Sequence, residues 1–117
     1  MIEELVSRVF AARNLAQLAH WKTKSYSQHM ALGDFYDALI GQIDALVEAY
    51  QGQFGLIGNV PLKAPAKAEI IAYLEEDLQW LNENCDECTK ENDSLENLYQ
   101  NLVATYQSTL YKLKNLS

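Results

Sequence analysis

A chain of 117 residues, 49% apolar and 21% charged, has the size and composition of one globular domain, spanning residues 1–117. Its net charge of −7 opposes the counterion release that drives binding to phosphate backbones, so no nucleic-acid partner is expected. No apolar run is long enough to span a bilayer, and a helical pattern starts at once without a basic, apolar leader, so the expectation is a cytoplasmic protein with no membrane partner.

Ile2, Leu5, Val9, Ala12, Ala16 and Ala19 recur at alternating spacings of three and four, which predicts a first helix over about residues 2–23. Ser25 and Ser27 are both suited to cap the next one. That second helix is predicted over about residues 27–51, with a core stripe of Leu32, Tyr36, Leu39, Ile43, Leu46 and Tyr50. From Gly52 to Lys67 the period stops, and Gly52, Gly55, Gly58, Pro61 and Pro65 fall there. A third helix carries Ile70, Ile71, Leu74, Leu78 and Leu81, and residues 82–92 read as a polar, acidic turn. A fourth opens on Asp93-Ser94-Leu95-Glu96, a capping-box arrangement, and continues through Leu98, Leu102, Tyr106, Leu110 and Leu113. The short first and last links make two antiparallel hairpins. The middle link, at roughly 50 Å fully extended, is long enough to run back beside a second helix of about 37 Å. The expected class is therefore all-α: a ferritin-like four-helix bundle with one long crossover between helices 2 and 3.

Chemistry is concentrated in the first hairpin, which holds both histidines of the chain, His20 and His29, followed by Asp44 and Glu48. Asp44 and Glu48 are one helical turn apart, so they share a face beside the core stripe. Imidazole with carboxylate, and room for water, suits Fe(II) better than thiolate-only or all-oxygen sets. One subunit cannot bring the four together, because Asp44 lies 15 residues past His29, about 22 Å along the helix. Two copies of helix 2 packed antiparallel, with the two-fold axis near Asp37 and Ala38, would place His29 of one against Asp44 and Glu48 of the other. Gly33 and Gly41 on that face would allow close approach, and Ile40 and Val47 would supply apolar contact.

Along nearly its whole length the chain resembles the Dps family, the mini-ferritins. Ala19-His20-Trp21, His29 and Ile43-Asp44-Ala45-Leu46-Val47-Glu48 carry the resemblance. It implies two histidines from one subunit and an Asp-x-x-x-Glu pair from its two-fold mate. It also implies ferrous iron bound in mono-iron or di-iron form, its oxidation by peroxide or oxygen, and storage of ferric mineral within a homo-oligomer. That assembly is at least a dimer, and a twelve-subunit shell in the family. The chain departs from the pattern at Gly33, where family members usually carry Asp, with Asp34 and Asp37 as second-tier substitutes out of register. It also has a shorter interval between the histidines, no short helix in the crossover and no Lys-rich tail. The competing expectation is a metal-free helical-bundle dimer serving as a structural or interaction protein.

Cys85-Asp86-Glu87-Cys88 has neither the second Cys pair of a zinc site nor the βαβ setting of a redox motif, so free thiols are expected. The acids around it, Glu83 to Glu96, read as a solvated loop and a charged helix start, or in a shell as the lining of a cation pore. Tyr36, Tyr50 and Tyr106 lie on apolar stripes and are assigned to packing.

Overall fold

The computed structural model describes residues 1–64 and 69–117; Pro65 and Lys67, placed by their sequence in the crossover, lie outside the described residues. Every element among the described residues is helical: α1 (Ile2–Lys22), α2 (Tyr26–Phe54), α3 (Ile70–Glu83), α4 (Cys85–Thr89) and α5 (Asp93–Asn115). None of these helices is long and apolar enough to cross a membrane.

Side-chain caps fix where three of the helices begin. Ser25 is extended, and its hydroxyl accepts from the Gln28 amide at 3.3 Å. The Glu69 carboxylate accepts from the amides of Ile71 and Ala72 at 3.0 and 2.9 Å. The Asn92 side chain accepts from the Leu95 amide at 3.1 Å, so the helix opens at Asp93 as its sequence reads, but Asn92 rather than Asp93 caps it. In each case a first-turn donor that the helix cannot satisfy is met by a side chain. The expected polar turn at 82–92 instead contains α4. Cys88 and Thr89 are 1% and 0% exposed there, and the Thr89 hydroxyl donates to the Cys85 carbonyl at 2.8 Å. Left-handed conformations at Lys90 (φ 52°) and Glu91 (φ 57°) then reverse the chain into α5.

Specific pairs set the helix directions. His20 meets His29 and Thr23 meets Gln28, so α1 and α2 are antiparallel. Phe35 packs edge-on to Tyr106, and Lys90, just before α5, lies over Tyr50 and Phe54, so α5 runs antiparallel to α2. Tyr99 bonds the Leu81 carbonyl and Lys114 pairs with Glu75, so α3 runs antiparallel to α5. Arg8 ties α1 to α3 through Asp77 and stacks over Trp80 at 4.6 Å. Each long helix thus packs on two antiparallel neighbours, in the order α1, α2, α5, α3, within a body of 44 × 25 × 22 Å. The link after α2 turns at Gly55 (φ 93°). It then follows α1 in α1's own direction: the Gly58 amide donates to Glu3, the Ser7 hydroxyl to the Pro61 carbonyl, and Lys63 pairs with Glu4.

The core between the four long helices holds Leu5, Val9, Leu32, Phe35, Leu39, Leu74, Leu81, Tyr99, Leu102 and Tyr106, each 2% exposed or less. One carboxylate is buried with them. Asp77 is 3% exposed, accepts from the Tyr106 hydroxyl at 3.1 Å and from Arg8 at 3.3 Å. Burial pushes its pKa up to about 6, against the lowering influence of Tyr106 and Arg8. The sequence carries the signal: Leu74, Asp77 and Leu81 keep the spacing of a buried stripe, with an acid at the middle position.

Candidate metal site at the first hairpin

His20 stands in the last turn of α1 and His29 in the first turns of α2, joined by three residues. The Thr23 hydroxyl donates to Gln28 at 2.9 Å and receives the Ser25 amide at 3.2 Å, which holds the turn closed. The two histidines are bonded reciprocally across it. Nδ1 of His20 lies 2.6 Å from the carbonyl of His29, and Nδ1 of His29 lies 2.9 Å from the carbonyl of His20. A carbonyl can only accept, so both rings carry a hydrogen on Nδ1, and a ring with no second hydrogen presents Nε2 as a lone pair. A backbone carbonyl on one ring nitrogen is the usual second partner of a metal-binding histidine, because it fixes the tautomer and the ring orientation.

The rings are stacked, with centroids 3.6 Å apart and planes 19° from parallel, and Tyr36 meets His20 edge-on at 5.4 Å. A nitrogen lone pair lies in the plane of its ring. Two nearly parallel planes at this spacing do not meet within a metal–nitrogen bond length of about 2 Å, so these orientations offer one ion to each ring rather than one ion shared by both. Gly33 adjoins the Cε1–Nδ1 side of the His20 ring. A Cβ built there would stand 3.1 Å from Cε1 and 3.3 Å from Nδ1.

The carboxylates of the candidate site are elsewhere. Asp44 and Glu48 are exposed further along α2, and among the described residues no group of three or more His, Cys, Asp and Glu side chains converges. The second-tier residues Asp34 and Asp37 are exposed on the same side of α2 and are likewise not gathered with the histidines. α2 contains no Lys or Arg, and among the described residues these four acids form no ion pair. Ile40 and Gly41 are exposed on this face too, and Asp44 borders an apolar cavity of about 310 Å³ whose walls include Phe10, Ile40, Val47, Ile57 and Val60.

The cysteine pair offers little reactivity. Burial raises the Cys88 thiol to about 11 and raises Cys85 as well, which keeps both protonated near neutrality. Sequence reasoning missed the close approach of Gly33 to His20, since a glycine within a helical pattern has no period of its own. It also missed the Asp77–Tyr106–Arg8 group, for which the register of Asp77 was the available signal.

No curated protein and no solved structure matches this chain. One family model does, over residues 20–113, a span that includes His20, His29, Asp44 and Glu48 and omits most of α1. The chain belongs to that family, a family of unknown function designated DUF5856.

Proposed function

We propose that this protein is a mini-ferritin-like iron handler, which binds and oxidises Fe(II) at sites shared between two copies of the chain in the cytoplasm. The observation that carries the reading is the reciprocal histidine pair. It spends both Nδ1 hydrogens on backbone carbonyls and leaves two Nε2 lone pairs at one end of the hairpin. The helix directions support a ferritin-like bundle: α2 and α3 run the same way, as a crossover link requires, and the link follows α1 between them. The unpaired Asp44 and Glu48 supply the carboxylates from a second copy laid antiparallel along α2, and the homo-oligomer is at least a dimer. In the reaction two ferrous ions each give up one electron. The peroxide O–O bond accepts both and breaks, and two protons complete two waters. The ferric product is then sequestered.

Addition of Fe(II) and peroxide to the metal-free protein should give a rise in near-ultraviolet absorbance faster than in buffer. Asp44→Ala with Glu48→Ala should remove the protein-dependent part and leave the helical dichroism intact, since both side chains are exposed. Equal rates for the parent and the double variant would show that these carboxylates are not ligands.

A second reading, a metal-free bundle acting as a structural or interaction protein, draws on the exposure of Asp44 and Glu48 and the absence of a converged ligand group among the described residues. It predicts an absorbance rise no faster than in buffer alone.

A further inference from the structure

We infer that Gly33 is a positioning residue for this site: its missing side chain is the seat of the His20 imidazole. The inference rests on the reading of His20 and His29 as ligands for its functional meaning, but not for its geometry.

The His20 ring is half-buried and held by its neighbours. The His29 ring covers one face at 3.6 Å, and the Tyr36 ring stands edge-on at 5.4 Å. Tyr36 is itself braced by the Arg13 guanidinium at 5.4 Å. Nδ1 is tied to the His29 carbonyl at 2.6 Å. At Gly33 any Cβ would come within 3.1 Å of Cε1 and 3.3 Å of Nδ1 of this ring. Relief needs a displacement of a few tenths of an ångström. An imidazole that makes it stretches the Nδ1 hydrogen bond or opens the stack, and either change loosens the tautomer and re-aims Nε2. A carboxylate at this position, as the Dps pattern would have, needs more room still. Gly33 is therefore not a vacant ligand position. It excludes a ligand on α2 one turn past His29 and leaves the carboxylates to be supplied from outside this hairpin.

The test uses Gly33→Ala, with Gly52→Ala as control, because a Cβ at Gly52 on the same helix meets nothing within 4 Å. Long-range proton–nitrogen spectra of the metal-free protein at about pH 8 report each imidazole's tautomer, and calorimetry with Zn(II) as a redox-inert probe reports ligand strength. Parent and Gly52→Ala should show both rings protonated on Nδ1. Gly33→Ala should lose that signature at His20 and bind Zn(II) at least tenfold more weakly. The proposal is overturned if Gly33→Ala keeps the His20 tautomer and binds Zn(II) within twofold of the parent. Should the parent bind no Zn(II) while Gly33→Ala still loses the tautomer, the ligand reading fails and the seat stands. Thermal melts close a cycle that needs no metal. Gly33→Ala should lower the melting temperature in the parent and raise it in a His20→Ala background, where the clash is gone and alanine's better helix propensity remains. An equal shift in both backgrounds would mean that His20 is not what Gly33 accommodates.

Discussion

Asp77 shows how a single side chain makes this fold sensitive to pH. Its carboxyl is nearly sealed, and burial raises its pKa to about 6 from an ordinary 3.8. Because the folded state holds the proton more tightly than the unfolded chain, folding binds a proton between about pH 4 and 6. Stability is therefore highest below that window and falls as pH rises through it, by something on the order of 2–3 kcal/mol for this group alone. Asp77→Asn cannot ionise and keeps a partner for the Tyr106 hydroxyl, while Arg8, about a third exposed, can turn to water. The melting temperature of Asp77→Asn relative to the parent should therefore rise between pH 4 and pH 7. A difference that stays constant over that range would place the titration elsewhere. The residue was legible as a register anomaly in α3, but its consequence was not. Only the three-dimensional packing of α1, α3 and α5 brings Tyr106 and Arg8 to it.

Among the elements, legibility followed length. α1, α2 and α5 run 21, 29 and 23 residues, enough turns for an apolar stripe to repeat and outweigh local composition. Their ends were read to within three residues. α4, at five residues, completes too few turns to display a period, and Asp86 and Glu87 hide the buried Cys88 behind a polar appearance. The hairpin's histidines were legible as neighbours because a short turn forces adjacency. The reciprocal bonds were not, since they depend on where two backbone carbonyls point. The α4–α5 turn also departs from local preference, with two consecutive non-glycine residues left-handed, each at a cost of about 1–2 kcal/mol. Glu91 is exposed, and Glu91→Gly should relieve its strain, raising stability by a few tenths to about 1 kcal/mol after glycine's greater unfolded-state freedom is subtracted. Lys90→Gly should gain less, because the Lys90 ammonium lies 4.3 Å from the Phe54 ring and 5.3 Å from that of Tyr50. Chemical denaturation of the two variants checks the order, and a larger gain at position 90 would discount the ring contacts.

At the scale of the whole molecule, the proposed site depends on assembly, and the outward face of α2 makes assembly electrostatically demanding. It presents Asp34, Asp37, Asp44 and Glu48 without a Lys or Arg on the helix, in a chain of net charge −7. Two such faces brought together antiparallel repel, and the repulsion is relieved by salt or by divalent ions lodged between carboxylate and imidazole. The proposed dimer, when metal-free, should therefore tighten as sodium chloride rises from about 50 mM to about 500 mM, where screening shortens the reach of each charge to a few ångströms. Stoichiometric Zn(II) at low salt should have the same effect. Gly41 separates this from any effect on the monomer, because a Cβ there meets nothing within 4 Å in the chain. Gly41→Leu should leave each subunit folded, with its own stripe of Leu39, Ile43 and Leu46 still buried. In the proposed seam the same side chain is a wedge, and about 1–3 kcal/mol of strain weakens association by roughly fivefold to 150-fold. Light scattering over a concentration series reads the mass, and circular dichroism reads the fold. The expected variant is a helical monomer that oxidises iron no faster than buffer does. A Gly41→Leu protein that remains dimeric and active would place the interface on another face of the bundle. A parent that is monomeric while binding metal through both His29 and Asp44 would overturn the shared site, whose premise is that about 22 Å of helix separates those two residues within one chain.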